Sequence, residues 1–283
     1  MSTSKRRLIV AAAGLVLAAL AVALSGPAGA IVGGTPAERG SHPWLVAVTY
    51  YGDPLCGGSV IDDDLILTAA HCVASMPTGA LVVRAGSTRF GDPAAQVRAV
   101  ADVRIHEGYR DHLVAYDLAI LRLTRPLERN GDTRPIAMAD ADAQAELIDA
   151  GSPAVVAGWG VTSDDDIELP SELLETDQYI LGDAQCRIRY AAELARHDVV
   201  LVDEAIVCAD HPDGHDSCYG DSGGPLVVHD RDDDIWYQLG VVSFGVDEHC
   251  GKATVYMEVT GHEDFIASGG TVDRDPTPQP PLP

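Results

Sequence analysis

The chain has 283 residues, with 43 acidic against 19 basic side chains, a formal net charge of −24 and six cysteines. That length buries a large core, and one all-β unit of roughly 200–250 residues is an ordinary size. The acidity argues against nucleic acid or an anionic membrane surface as partner, since like charge repels a polyanion.

In chain order, a leader comes first. Lys5, Arg6 and Arg7 precede an apolar run over residues 8–24, which Gly26 and Pro27 break before Ala28-Gly29-Ala30. This is the layout of a secretory signal peptide over residues 1–30, ending in a small-residue cleavage site, and the chain is expected to be secreted. The run falls short of the ~20 residues that span a bilayer. The surroundings of Arg6-Arg7 fit twin-arginine export poorly. No later apolar run is long enough to span, so no membrane anchor is expected. A second Ala-x-Ala, at Ala21 and Ala23, lies inside the apolar run and ahead of its breaker. Cleavage after Ala30 makes Ile31 the new N-terminus. Without the leader, which holds three basic and no acidic residues, the net charge is about −27.

Beyond it, short apolar segments alternate with turn signals. Strands are predicted over residues 45–51, 59–61, 65–68, 81–83, 100–105, 118–123, 154–157, 226–228, 235–244 and 253–259. Gly52-Asp53-Pro54 and Asp62-Asp63-Asp64 supply two of the turns. Many strands at short spacing, with helices expected only over 139–149 and 261–267, read as an antiparallel barrel or sandwich. The folded unit is placed at residues 31–267. Residues 268–283 turn to Gly, Thr and Pro, a composition that builds no packed core. The acidic clusters at 62–64, 164–166 and 230–234 read as solvated loops rather than calcium ligands. Six cysteines in an exported chain point to disulfides, and no C-x-x-C pair suggests zinc. Spacing alone does not choose among the pairings.

The chemistry concentrates on Gly220-Asp221-Ser222-Gly223-Gly224-Pro225. Glycines around a serine permit φ values that other residues resist, so backbone N–H groups can converge on one point. The pattern also satisfies the G-x-S-x-G elbow of α/β-hydrolases. That elbow needs a helix after the turn and the order Ser, Asp, His; here Pro225 and a strand-like Leu226-Val227-Val228 follow. The candidate base and acid lie upstream: His71 within Thr68-Ala69-Ala70-His71-Cys72, and Asp117 heading Leu118-Ala119-Ile120-Leu121. Together they give a triad in the order His, Asp, Ser.

Ile31-Val32-Gly33-Gly34, the Thr68 to Cys72 segment, Asp117-Leu118-Ala119-Ile120, Gly158-Trp159-Gly160 and the Ser222 turn resemble the chymotrypsin/trypsin family of serine endopeptidases. The likeness spans residues 31 to about 267. It implies an all-β fold of two packed six-stranded antiparallel barrels with a short C-terminal helix and the active site between the barrels. It implies Ser222 as nucleophile, His71 as base, Asp117 as orienting acid and the N–H groups of Gly220 and Ser222 as the oxyanion hole. Disulfides Cys56–Cys72, Cys186–Cys208 and Cys218–Cys250 follow from the same likeness. So does an ion pair between a freed Ile31 ammonium and Asp221. Family members held as zymogens usually carry Arg or Lys before that Ile; here Ala30 stands there, so signal peptidase itself is expected to make the active terminus.

By the same likeness Asp216 lies at the base of the primary pocket, which implies cleavage after Arg or Lys. Ser243 and Gly245 belong to the strand that pairs with substrate. The far wall departs from the family: Ala253-Thr254 stands where trypsin-like members usually have Pro-Gly, and the segment 246–249 before Cys250 is longer than usual. Thr254 at the glycine's place would crowd a long basic side chain and favour smaller residues, whereas Asp247 and Glu248 would add negative potential at the mouth. His211 and His215 sit in a loop with Pro212 and Gly214 and are not expected to bind metal, and Trp159 reads as a packing residue. No calcium loop is evident between Gly86 and Val100, and no cofactor is expected. The expected partners are polypeptide substrates and proteinaceous inhibitors of a monomeric enzyme; a non-catalytic binding homologue is the rival class, disfavoured because all three triad members are present.

Overall fold

The computed structural model describes residues 31–110, 113–114, 116–163, 169–197, 200–201, 206–245, 250–251 and 254–270. The leader, the acidic run 164–166, the segment 246–249, Ala253 and the tail beyond residue 270 lie outside the described residues. Among those described, the chain runs β1 (Thr35–Pro36), β2 (Leu45–Tyr50), β3 (Asp53–Asp62), β4 (Leu65–Thr68), α1 (Ala70–Val73), β5 (Leu81–Ala85), β6 (Gln96–Ile105), β7 (Leu113–Val114), β8 (Ala119–Leu123), β9 (Ala137–Met138) and α2 (Ala141–Leu147). It continues through β10 (Pro153–Gly158), β11 (Leu174–Leu181), α3 (Asp183–His197), β12 (Val200–Leu201), β13 (Ile206–Asp210), β14 (Pro225–Asp230), β15 (Ile235–Gly245), β16 (Thr254–Glu258) and α4 (Glu263–Ala267).

The strands close two antiparallel barrels, as the sequence leads one to expect. The first runs β2-β3-β4-β8-β6-β5 and back to β2. The second runs β11-β10-β14-β15-β16-β13, and β13 closes it by pairing with β11 through Leu181 and Cys208. β1 and β9 add at its margins. Alternation marks some of these strands. In β5, Leu81, Val83 and Ala85 point into the core while Val82 and Arg84 are partly exposed, the period of two that a half-buried strand requires.

Strands β11 and β13 and helix α3 were not legible as elements in the sequence. β11 reads Leu-Glu-Thr-Asp-Gln-Tyr-Ile-Leu, and buries Thr176 and Gln178 on its inner face. A strand whose inward positions include polar residues has no hydropathic alternation to detect. The Asp62-Asp63-Asp64 turn is less free than a solvated loop: Arg129 pairs with Asp62 and Asp63, and Arg122 with Asp64. No helix among the described residues is long and apolar enough to cross a membrane.

Two contacts register the barrels. A cluster of Trp44, Leu45, Ile136, Ala157, Trp159, Leu173 and Val227 draws side chains from both, so Trp159 packs as expected. Beside it, Ser59 Oγ on β3 donates to Gln238 Oε1 on β15 at 2.6 Å, and Gln238 Nε2 donates to the Gly240 carbonyl at 3.0 Å. Ser59 and Gln238 are both fully buried. Ser59→Ala leaves the Gln238 oxygen without its donor and is expected to lower stability by about 1–3 kcal/mol in urea unfolding. A loss indistinguishable from zero would show that this bond does not hold the barrels in register.

Candidate active site

The site lies where β4 and β8 of the first barrel face the β14–β15 end of the second. Thr68 closes β4, and its Oγ1 donates to the Gly57 carbonyl at 2.8 Å. The chain then turns into α1, which presents His71. Asp117 stands at the entrance to β8, after Tyr116 in the left-handed region at φ +59°. The Leu118 N–H bonds back to the Tyr116 carbonyl at 2.8 Å, so the backbone pivots at Asp117.

The Asp117 carboxylate is buried and spoken for. Oδ1 accepts the His71 backbone N–H at 2.8 Å, while Oδ2 accepts His71 Nδ1 at 2.7 Å and the Ser243 hydroxyl at 2.6 Å. Burial pushes this carboxyl up, but the bonds and charge of His71, with the Ser243 hydroxyl, outweigh it and leave the group below its ordinary value. An ionised carboxylate only accepts, so Nδ1 carries the proton and the Nε2 lone pair points away from Asp117. The serine at 243 was expected only in the substrate strand. Its bond to Asp117 spans 126 positions and left no local signal.

Ser222 sits in a turn that glycine permits. Gly220 has φ +101° and Gly223 φ +81°. A Cβ on Gly223 would lie 2.2 Å from Thr68 Oγ1, far inside van der Waals contact. The Gly57 N–H donates to the Ser222 carbonyl at 2.8 Å, and the Gly223 N–H to the Val242 carbonyl at 2.8 Å. Among the described residues no backbone acceptor takes the N–H of Gly220 or of Ser222. A cavity of about 340 Å³ has His71, Ser217, Tyr219, Ser222, Gly245 and Thr254 in its wall. The candidate nucleophile Ser222 and the candidate base His71 therefore share one cleft.

Asp216 lies behind the cavity floor, 2% exposed. Its Oδ1 accepts the Ser217 N–H and the Thr254 hydroxyl, each at 2.8 Å, and Ser217 Oγ lies 2.9 Å from Thr254 Oγ1. Thr254 is thus a structural partner of the acid as well as a wall of the pocket. Nearby Tyr190 and Tyr256 are fully buried, and burial, then the charge of Asp216, raises both phenols well above 10.

Asp221 is buried between Gly158 and Gly160. Its Oδ1 accepts the Gly160 N–H at 2.7 Å and its Oδ2 the Cys218 N–H at 2.9 Å. A Cβ at Gly158 or Gly160 would sit 2.0 or 2.4 Å from these oxygens, which explains the Gly-Trp-Gly sequence. Ile31 is also buried, and Val32 forms an antiparallel bridge with Asp216. The Ile31 nitrogen in a chain continuing from Ala30 is an uncharged amide; the carboxylate has two N–H donors and no cation.

The disulfides are Cys56–Cys72, Cys186–Cys208 and Cys218–Cys250. Cys56, His71 and Cys72 bring metal-type donor atoms close together, but the two sulfurs share a disulfide and offer no thiolate. His211 and His215 stack with ring centroids 4.4 Å apart and planes 5° from parallel, a packing contact rather than a convergence of lone pairs.

The sequence matches the family model described as Trypsin over residues 31–266. It is 34% identical to trypsin epsilon of Drosophila erecta over 241 residues, 84% of this chain and 86% of that one. It is also 34% identical to trypsin alpha-4 of Lucilia cuprina over 249 residues (86% and 88%), and 32% identical to hypodermin-A of Hypoderma lineatum over 251 residues (87% and 89%).

Burial raises the Asp221 carboxyl from 3.8 to about 7, against the pull of its two N–H bonds. Between those values the folded chain holds a proton that the unfolded chain has lost, so stability falls as pH rises across the window, by about 4 kcal/mol in total. For the chain with residues still attached ahead of Ile31, Asp221→Asn is expected to remove that slope in urea unfolding from pH 4 to pH 7. Parallel curves for the two proteins would contradict it.

Proposed function

The chain belongs to the trypsin family of serine endopeptidases, and on that footing we propose that it cleaves polypeptides after arginine or lysine through an acyl-enzyme on Ser222. The observation that carries this reading is the 2.7 Å contact of His71 Nδ1 with Asp117 in a cleft that also holds Ser222. In the proposed reaction Ser222 Oγ attacks the scissile carbonyl as its proton passes to His71 Nε2, and Asp117 stabilises the imidazolium. The N–H groups of Gly220 and Ser222 take the charge that develops on oxygen; one such donor typically contributes about 10²–10³ in kcat. The C–N bond then breaks, the amine leaves with the proton from His71, and water attacks the Ser222 ester with His71 again as base. The main chain of Ser243 and the exposed Gly245 pairs with substrate backbone.

Asp216 supports basic specificity, since a buried carboxylate behind the floor favours a guanidinium or ammonium. The bond from Thr254 to Asp216 favours a second reading, in which Thr254 fills the floor, satisfies an Asp216 oxygen and restricts the pocket to smaller residues.

The leader composition supports export, with cleavage after Ala30 freeing an Ile31 ammonium that pairs with Asp221. A buried ion pair suits a switch, because leaving one partner alone costs about 3–5 kcal/mol. Active secreted protein is expected to begin at Ile31 by mass spectrometry; a chain that begins at Leu24 and is inactive contradicts signal-peptidase activation.

Specificity is tested by kcat/KM on chromogenic peptides that vary only the residue before the cut: Arg, Lys, Phe, Leu and Ala. The native enzyme is expected to prefer Arg and Lys, Ser222→Ala to lose at least about 10⁴-fold, and Thr254→Gly to raise turnover of the basic peptides. Preference for Ala or Leu, shifted toward Arg by Thr254→Gly, establishes the second reading. No cleavage by the chain that begins at Ile31 overturns the protease reading.

A further inference from the structure

Around Tyr116, the residue directly before Asp117, lies a cluster of rings that the reaction does not use. His106, which follows β6, stacks on Tyr116 with centroids 5.0 Å apart and planes 14° from parallel. His262, at the start of α4, meets His106 edge-on at 4.9 Å and Tyr116 at 5.5 Å. Phe265 of α4 closes the cluster at 4.8 Å from His106. Gly108 backs the Tyr116 ring so closely that a Cβ there would lie 2.7 Å from it. The His106 N–H also donates to the Leu118 carbonyl at 2.9 Å. Tyr116 is the residue with φ +59° directly before Asp117. A tyrosine adopts that backbone only when its surroundings enforce it, and here the enforcing contact is the ring stack.

The contact of His106 with Gly108 needs a neutral imidazole. The Gly108 N–H donates to His106 Nδ1 at 3.1 Å, so that nitrogen presents a lone pair. A proton on it would set N–H against N–H and put a charge beside the His262 imidazole, a repulsion that a neutral ring at this position does not impose. We propose that His106 is a positioning residue for Asp117, holding its carboxylate through Tyr116, and that protonation of His106 unlatches the site in acid. This rests on the reading of Asp117 as the acid of the triad.

The charged neighbourhood agrees. Burial, then the second imidazole at His262, holds His106 down to about 4. Burial also lowers His262, against the opposing charge of Glu263. From the His106 loop itself come Glu107, Tyr109 and Arg110, with the Arg110 guanidinium bonded to the carbonyls of Glu107 and Tyr109. From the facing segment comes Tyr116. The folded value of His106 lies below the ordinary 6.5, so the unfolded chain takes its proton first as pH falls. Stability is intact above about pH 6.5 and drains away toward pH 4.

The test uses the enzyme that begins at Ile31, with His106→Phe, which keeps a ring but takes no proton, and His106→Ala. At pH 8, His106→Ala is expected to lower kcat at least tenfold with KM within twofold of native, and His106→Phe to restore most of it. The thermal midpoint of His106→Phe is expected to fall less steeply than native between pH 6.5 and pH 4. Native kcat in His106→Ala overturns the positioning role, and an unchanged acid slope in His106→Phe overturns the latch. If His106→Ala does not fold, His106→Phe decides alone: near-native kcat with a flattened slope supports the proposal, and a tenfold loss of kcat or the native slope overturns it. An inactive native enzyme would instead sink the protease reading, so the two failures are distinct.

Discussion

The barrels meet backbone to backbone, and the site exists because they do. Gly57 of the first barrel donates its N–H to the carbonyl of Ser222, and a Cβ on Gly57 would stand 3.0 Å from the backbone of Gly224. Gly223 sits equally hard against Thr68. Only the Thr68 hydroxyl reaches in beside Gly223, where the strand that leads to His71 meets the turn that carries Ser222. Two rigid closed sheets thus fix the relative position of groups that neither barrel holds alone, which is the preorganisation that charge-stabilising catalysis requires.

The same economy governs the buried acids. Asp117 heads a strand of the first barrel, Asp216 and Asp221 lie between strands of the second, and each accepts short hydrogen bonds from neighbouring groups. They differ in what completes them. Asp117 is satisfied by the ring and backbone N–H groups of His71 and by the Ser243 hydroxyl. Asp221 is satisfied only in part and keeps its proton to about pH 7. Asp216 has traded some of its attraction for the hydroxyl of Thr254. A buried carboxylate without a compensating charge is costly, so Asp221 is a place where a cation has an energetic reason to arrive.

Much of this was legible in the sequence because it is written in short local patterns. The strands of the first barrel are short apolar runs set between turn residues, and the glycine-flanked Ser222, the Thr68 to Cys72 segment and Asp117 stand in a fixed order. What escaped was non-local or polar. Helix α3 buries Cys186 and Tyr190 but carries exposed Ile188, so its apolar pattern does not mark one face. Strand β11 turns Gln178 inward because the His215 carbonyl accepts its amide. The bonds Ser243 to Asp117 and Thr254 to Asp216 join residues 126 and 38 positions apart. Thr254 was singled out for bulk, and its hydroxyl as a partner of Asp216 became visible only in three dimensions.

The ring cluster around Tyr116 draws two of its members, His262 and Phe265, from the segment that follows every strand of both barrels. During synthesis the first barrel, with His71 and Asp117 in it, emerges complete well before that segment does. Through that interval Tyr116 lacks half of its enclosure, and the acid has no fixed aim. A nascent chain is therefore built in an order that assembles the brace last, so cleaving power arrives only when nearly all of the folded unit has left the ribosome.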